Sequence, residues 1–298
     1  CAVLAGVGNG VFHPVDYTLL NKKVSLPRLG HAYSMHGLSG SLGWALAPAV
    51  LVPVAQGAGW RTALQVAALM AYGVALFIWF KRQNLLIEQG PTQDAPKSEA
   101  NQGLDFLKLP SVWACFGFFL VYAVVISVIQ AFAPEASRKL HGISISMAAT
   151  CLTVYMVCSA TGMLAGGFLA SSPERCERVV AAAFGSAACV ALVLGLASVP
   201  VVSVPVLFGL MGFASGTAGP SRDLLVKKST PDHATGRVYG VVYSGLDIGQ
   251  AVAPLLFGRL MDAGQFGGVF VGLALVQMLL IGTALNVRKA KGISPLLP

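Results

Sequence analysis

Long apolar segments alternate with short polar loops along most of this chain. Nine apolar segments approach the length of about 20 residues that a helix needs to cross the hydrocarbon core of a bilayer. They cover approximately residues 1–20, 31–55, 61–80, 110–134, 144–170, 179–198, 204–226, 238–261 and 267–286. The pattern predicts an all-α membrane protein with nine transmembrane helices.

A stretch of 43 residues occurs twice without a gap, at 6–48 and again at 212–254. Each copy reads as an apolar helix, a short basic loop and a second apolar helix. Eleven positions are identical between the copies: Gly6/Gly212, Gly10/Gly216, Pro14/Pro220, Leu19/Leu225, Lys22/Lys228, Gly30/Gly236, Tyr33/Tyr239, Gly43/Gly249, Ala45/Ala251, Ala47/Ala253 and Pro48/Pro254. A long repeat in a membrane chain predicts a transporter built from two related helical bundles.

The offset of 206 residues between the copies also predicts how the halves are divided. The second half begins near Pro110, so its counterpart in the first half should begin roughly 96 residues before Cys1. We therefore expect two bundles of six helices, with the first three helices lying before this sequence. The predicted units are a partial first bundle at 1–80, a linker at 81–109 and a complete second bundle at 110–298.

The composition agrees with a lipid environment. Of the 298 residues, 55% are hydrophobic and 11% are charged, whereas soluble domains carry roughly 25% charged residues. The formal charge of +8 is distributed unevenly, because one set of alternate loops holds 15 of the 20 Lys and Arg residues. That set comprises Lys22, Lys23, Arg28, Lys81, Arg82, Lys97, Lys108, Arg175, Arg178, Lys227, Lys228, Arg237, Arg288, Lys289 and Lys291. The positive-inside rule places these loops and the C-terminus in the cytoplasm and removes nucleic acid as the reason for the charge.

Asp247 is the most informative ionisable residue, because charge inside a membrane helix is costly and often functional. It lies about nine residues into the predicted eleventh helix, which puts it roughly 13 Å along the axis. Its repeat partner is the uncharged Ser41, so the acid is particular to the second half. We expect a protonatable coupling or substrate-binding residue, with Gln250 nearby. The alternative is a packing acid that accepts a hydrogen bond from Tyr243 or Gln250.

A second group of polar residues, Asn9, His13, Asp16 and Tyr17, falls on one face of the fourth predicted helix. His13 could carry a proton near neutral pH, and a purely structural histidine is the alternative. Asp16 lies near the basic loop and is a candidate for a cytoplasmic gate. Its repeat equivalent is Arg222, which is followed by Asp223. We hypothesise an Asp16–Arg222 ion pair between the halves, with pairing of Arg222 inside its own half as the alternative.

Several short motifs resemble those of the major facilitator superfamily. G-x-x-x-A-P occurs at Gly43 to Pro48 and at Gly249 to Pro254, as a relaxed form of that superfamily's antiporter motif. The run GGFLASSPER, which includes Gly167 and Arg175, resembles its loop motif G-x-L-a-D-R-x-G-R. Here Ser171 replaces the usual Asp and Glu174 the second Gly, which puts the usual charge contact of the motif in doubt.

The opening runs GVGNGVFHPVDYTLLNKKV and RLGHAYSMHGLSGSLGWALAP resemble bacterial exporters of the fosmidomycin-resistance type. This resemblance implies proton-coupled export of a small organic molecule by a monomer in the bacterial inner membrane. Its partners would be that molecule and the lipid bilayer, and it would need no cofactor beyond a proton gradient. Proton-coupled uptake of a metabolite and a receptor-like member without transport remain alternatives.

Other classes lack their motifs. The phosphate-binding G-x-x-x-x-G-K-[ST] is absent, as are a nucleophile elbow and HExxH, so we expect neither an ATP-driven pump nor an enzyme. The six cysteines show no CxxC and no nearby His at metal spacing, so no metal ligands are predicted. Glycine pairs four residues apart, such as Gly162/Gly166 and Gly212/Gly216, predict close helix packing.

Overall fold

The computed structural model describes residues 2–86, 105–170, 176–229 and 235–291, and all the regular structure in these ranges is helical. The helices of the first half and the linker are α1 (Ala2–Gly10), α2 (Phe12–Lys23), α3 (Leu26–Ala58), α4 (Trp60–Phe80) and α5 (Arg82–Leu85). A 3₁₀ turn (Asp105–Lys108) precedes α6 (Pro110–Ser127), a π turn (Val128–Phe132) and α7 (Ala133–His141). The remaining helices are α8 (Ile145–Leu169), α9 (Cys176–Leu196), α10 (Ser203–Ser229), α11 (Thr235–Asp262) and α12 (Phe266–Lys291). Most of the predicted linker lies outside the described residues.

Six helical segments within the described ranges are long and apolar enough to cross a membrane. They are Trp60–Phe80, Pro110–His141, Ile145–Leu169, Cys176–Leu196, Gly236–Asp262 and Phe266–Ala284. This confirms an all-helical membrane architecture, while the count of nine spans stays a prediction. The first predicted span divides at Val11 into α1 and α2, because Pro14 has no N–H to donate to the carbonyl of Gly10.

The second half is held together by very close helix contacts. Glycines of α8 lie against backbone carbonyls of α10, and glycines of α10 lie against those of α8. A Cβ atom added at Gly162 would lie 2.2 Å from the carbonyl oxygen of Phe213, and one at Gly216 would lie 2.0 Å from that of Ser159. Only glycine permits this approach, so the predicted packing role of these glycines is confirmed.

The two G-x-x-x-A-P motifs have different surroundings. A Cβ atom at Gly249 would lie 2.2 Å from the carbonyl oxygen of Leu120, so α11 packs tightly on α6 there. A Cβ atom added at Gly43 on α3 would have no other atom within 4 Å. Pro254 is exposed inside α11, and the side chain of Pro48 lies outside the described residues.

Among the described residues, α2 and α3 make the main contacts of the first half with the second. α3 packs against α8 and α10, and α2 packs against α11. The α2–α11 contact is antiparallel, because Gly236 lies against Thr18, Gly240 against Pro14, and the ring of Tyr243 against that of His13. The deeply buried side chains Tyr17, Leu29 and Tyr33 of the first half belong to one hydrophobic core that continues into the second half.

Candidate functional site

Four tyrosines form the centre of the contact between the halves, and we call them the interface tyrosine cluster. Tyr17 on α2 and Tyr33 on α3 come from the first half, and Tyr239 and Tyr243 on α11 from the second. The Tyr17 ring stacks on that of Tyr239 at 5.1 Å between centroids and lies 5.1 Å from that of Tyr243. All four are buried, and Tyr33 and Tyr239 are repeat equivalents. The interface therefore has an apolar, aromatic centre with polar tips.

Asn21 connects the two repeat-equivalent tyrosines. Its Nδ2 donates to the hydroxyl of Tyr239 across 3.1 Å. The hydroxyl of Tyr33 donates to its Oδ1. The buried hydroxyls at this end of the cluster are thereby satisfied, as buried polar groups in proteins nearly always are.

Tyr17 makes the second polar connection between the halves. Its hydroxyl donates to Oδ2 of Asp223 across 3.0 Å, and the two residues are separated by 206 positions. That separation is the repeat offset, so Tyr17 and Asp223 occupy equivalent places in the two halves. Pseudo-two-fold symmetry brings them together, and the difference between their side chains makes one a donor and the other an acceptor.

Arg222 neutralises Asp223 from within the same half. Its Nε lies 2.8 Å from Oδ1 of Asp223, and a terminal guanidinium nitrogen lies 3.2 Å from Oδ2. The guanidinium also lies 4.4 Å from the ring centroid of Tyr122 and 5.3 Å from that of Phe119, which is the geometry of cation–π attraction. The predicted Asp16–Arg222 ion pair is therefore wrong, and the alternative of pairing inside one half is confirmed.

Asp16 lies instead close to two histidines of its own half. Its Oδ2 lies 3.4 Å from Nδ1 of His13 and 3.3 Å from Nε2 of His36 on α3. We call these residues the His–Asp–His triad. No metal ligands were predicted from the sequence, yet these three ligating atoms all lie within 4.8 Å of one another.

The triad lies beside the interface tyrosine cluster. The ring of His13 is 4.8 Å from that of Tyr243, and the ring of His36 is 5.2 Å from that of Tyr17. The sequence pattern on α2 identified His13 and Asp16, but it gave no reason to join His36 to them. One signal was available, because the repeat partner of His36 is the apolar Val242, so this polar residue is particular to the first half.

Asp247 and Gln250 lie outside both clusters, with exposed side chains. Helical periodicity puts them on the stripe of α11 that contains Gly236, Gly240 and Tyr243, which is the face that contacts α2. Asn9 is also exposed, and the antiparallel register places it near the level of Asp247. The structure thus separates Asn9 from His13, Asp16 and Tyr17, although all four share one helical face in sequence.

The loop motif contributes through Gly167. A Cβ atom there would lie 2.9 Å from Cβ of Ser34 on α3, so this glycine permits the close approach of α3 and α8. Ser34 donates through Oγ to the carbonyl of Met163 across 2.7 Å, which fixes the same contact. Arg175 lies outside the described residues.

Two related helical units meet across a polar and aromatic interface, in a chain with several membrane-length helices, which is the architecture of a two-bundle membrane protein. Comparison with known families agrees, because the model of the Major Facilitator Superfamily matches residues 1–254 and 127–294. The chain belongs to this superfamily. A search of curated proteins finds no match.

Among solved structures, the human organic anion transporter MFSD10 (TETRAN) is similar, with a TM-score of 0.62 and 16% sequence identity. The match covers 90% of this chain and 66% of the human transporter, so this chain spans slightly less than two thirds of its length. At this identity the likeness concerns the fold.

Proposed function

We propose that the protein is a secondary transporter that exports a small organic molecule in exchange for protons. The observation that carries this proposal is the Tyr17–Asp223 hydrogen bond between repeat-equivalent positions of the two halves. Alternating access in this class requires the halves to rock against each other around a central site. An interface that joins equivalent positions near its symmetry axis is suited to close one side of such a site.

The polar contacts between the halves are few enough for the interface to open. A hydrogen bond to a charged group contributes roughly 1.5–3 kcal/mol, and the charge of Asp223 remains compensated by Arg222 when Tyr17 moves away. The gate can therefore separate without leaving an unpaired charge in the membrane. We assign Tyr17, Arg222 and Asp223 to the gate, with Asp16 beside it.

We propose that this gate lies on the cytoplasmic side, because α2 and α10 end in basic residues and the positive-inside rule favours the cytoplasm for such ends. The same rule favours a cytoplasmic C-terminus. The resemblance to bacterial exporters favours a monomer in the bacterial inner membrane. A reporter enzyme that is active only in the cytoplasm, fused after Pro298, should be active. If the cytoplasmic reporter is inactive and a periplasmic reporter fused at the same site is active, the topology is the opposite of the one proposed.

We further propose that Asn9, Asp247 and Gln250 line the transport path, because all three are exposed where α1 and α11 extend beyond the tyrosine cluster. Asp247 is the coupling residue of this proposal, since a carboxylate in a membrane span gains and loses a proton at low cost only where water reaches it. His13, the other coupling candidate of the sequence, belongs to the triad, for which a separate role is argued below.

The different surroundings of Gly43 and Gly249 support a complete transporter with two bundles of six helices. Gly249 packs on α6, whereas its repeat equivalent Gly43 meets open space. A helix equivalent to α6 in the first half would fill that space. Gly43, Pro48, Gly249 and Pro254 would then form matching packing seams in both halves, which are proposed to shift during transport together with the contact at Gly167.

The proposal is tested in cells that lack their own exporters. Expression of the full transporter should raise resistance to at least one compound in a panel of small organic toxins, and Asp247→Asn should abolish that resistance. Asp262→Asn is the matched control, because it makes the same change at the exposed end of the same helix. Compound accumulation inside the cells, or full resistance with Asp247→Asn, would refute proton-coupled export through this residue.

A further inference from the structure

We propose that His13, Asp16 and His36 form a binding site for a divalent transition-metal ion of the Zn²⁺ type. Two imidazole nitrogens and one carboxylate are a common ligand set for such ions in three-ligand sites that leave a fourth position open. The proposal goes beyond transport, because it requires neither Asp247 nor movement of the halves.

The spacing of the ligand atoms fits a tetrahedral ion. With metal–ligand bonds of about 2.0–2.2 Å, the edges of a tetrahedron are roughly 3.3–3.6 Å long. Oδ2 of Asp16 lies 3.4 Å from Nδ1 of His13 and 3.3 Å from Nε2 of His36. The third edge joins the two histidine nitrogens, which lie within 4.8 Å of each other, and small rotations of the rings would shorten it.

Three buried polar atoms of the triad lack hydrogen bonds. Both carboxylate oxygens of Asp16 and Nδ1 of His13 are buried without a partner of hydrogen-bonding geometry in the described part of the chain. Buried polar groups without partners are costly, and the cost is greatest for a carboxylate. A cation bound between them would satisfy Oδ2 of Asp16 and Nδ1 of His13 together.

The arginine near the triad does not compensate the charge of Asp16, so a bound cation could do so. Arg222, the basic side chain at the interface tyrosine cluster, is already bound to Asp223, so it does not neutralise Asp16. The side chains of His13 and His36 remain 38% and 24% exposed. The rings thus reach the surface while Nδ1 of His13 is buried, so the same ring rotations would admit the ion.

All three ligands belong to α2 and α3 of the first half, with Tyr243 of the second half against His13. Metal binding should consequently depend on the triad and be independent of the gate. Asp223→Asn and Asp247→Asn change the gate and the proposed coupling residue, so they distinguish failure of the transport proposal from failure of this site.

The test measures Zn²⁺ binding to the purified full transporter, with any purification tag removed, by competition with a chromogenic chelator. We expect one ion per chain. His13→Ala, Asp16→Asn and His36→Ala should each weaken binding at least tenfold. His31→Ala is the matched control, because His31 is exposed on the same helix as His36 and lies against Phe168. Asp247→Asn should also leave the affinity unchanged.

A second measurement separates loss of binding from loss of folding. Zn²⁺ should raise the Tm of the wild-type protein and of His31→Ala, but leave the Tm of a folded His36→Ala variant unchanged. Absence of saturable binding, or equal affinity in the wild-type protein and all three triad variants, would overturn the proposal. In that case the triad would be a set of titratable side chains without a metal.

Discussion

The contact between Tyr17 and Asp223 shows how duplication followed by divergence can produce a new interaction. The two positions are equivalent in the repeat, so symmetry alone brings them near the axis between the halves. Identical residues there would be two phenols or two carboxylates, and two adjacent carboxylates would repel each other. A phenol on one side and a carboxylate on the other form a hydrogen bond instead.

Removing the phenolic hydroxyl should loosen this contact. Tyr17→Phe keeps the ring stacked on Tyr239 but takes away the donor to Asp223, so the closed gate should lose about 1–3 kcal/mol. Spin labels at the C-terminal end of α2 and the N-terminal end of α11 should then report a larger share of long distances between the two labels. Tyr72→Phe, at an exposed position of α4, is the control and should leave the distribution unchanged. An unaltered distribution in Tyr17→Phe would exclude this bond as a gate contact.

Removing the carboxylate should have a larger effect on stability. Asp223→Asn leaves the guanidinium of Arg222 without its partner in a buried position, and breaking a buried pair in this way costs about 3–5 kcal/mol. Asp247→Asn makes the same substitution at an exposed position of the second half and should change stability by no more than about 0.5 kcal/mol. Denaturation in detergent measures both, and equal stabilities would contradict the assigned ion pair.

Residue patterns predicted which side chains belong to this site better than they predicted which of them contact each other. Periodicity on α2 identified His13, Asp16 and Tyr17, and intramembrane charge identified Arg222 and Asp223. Their partners depend on neighbouring helices that periodicity does not describe, which is why His36 was missed. Repeat symmetry placed Asp16 and Arg222 at corresponding heights in opposite halves, so the sequence proposed their pairing and left a partner within the second half as the alternative. The long arginine side chain folds back to reach its neighbour.

At the level of helices, glycine spacing was the most reliable signal. Gly162 and Gly166 on α8 face the backbone of α10, and Gly212 and Gly216 on α10 face that of α8. The spacing alone did not distinguish packed glycines from open ones, because Gly6 and Gly10 have the same spacing and no atom within 4 Å of an added Cβ. The difference depends on whether a second helix lies opposite.

This difference predicts the outcome of adding a methyl group. Gly216→Ala would place Cβ 2.0 Å from a carbonyl oxygen of α8, so the helices must separate, at a cost of about 1–3 kcal/mol. The Cβ added by Gly40→Ala would have no other atom within 4 Å. This substitution should be neutral or slightly stabilising, by up to about 1 kcal/mol. Thermal unfolding of the two variants in detergent checks the prediction. Similar values of Tm would show that α8 and α10 are not packed as described.

For the whole molecule, the repeat and the apolar segments predicted the two related halves and the helical membrane fold. The number of spans was harder to predict, because Pro14 interrupts one apolar segment, and because α3 and α10 contain many Gly, Ser and Pro residues. In the proposed transport cycle, tight glycine contacts hold α8 and α10 together, while the interface around Tyr17 opens and closes.

A reversible cross-link between the halves tests this cycle most directly. A Cβ atom at Gly236 would lie 3.5 Å from Oγ1 of Thr18, the atom whose place the sulfur of Thr18→Cys would take, so the two cysteines are close enough for a disulfide after a small adjustment. The full transporter carrying Thr18→Cys and Gly236→Cys should stop exporting its resistance compound from proteoliposomes with an imposed pH gradient when oxidised, and resume when reduced. Each single-cysteine variant should be insensitive to both treatments. Undiminished transport by the fully cross-linked protein would contradict a gate that opens between α2 and α11.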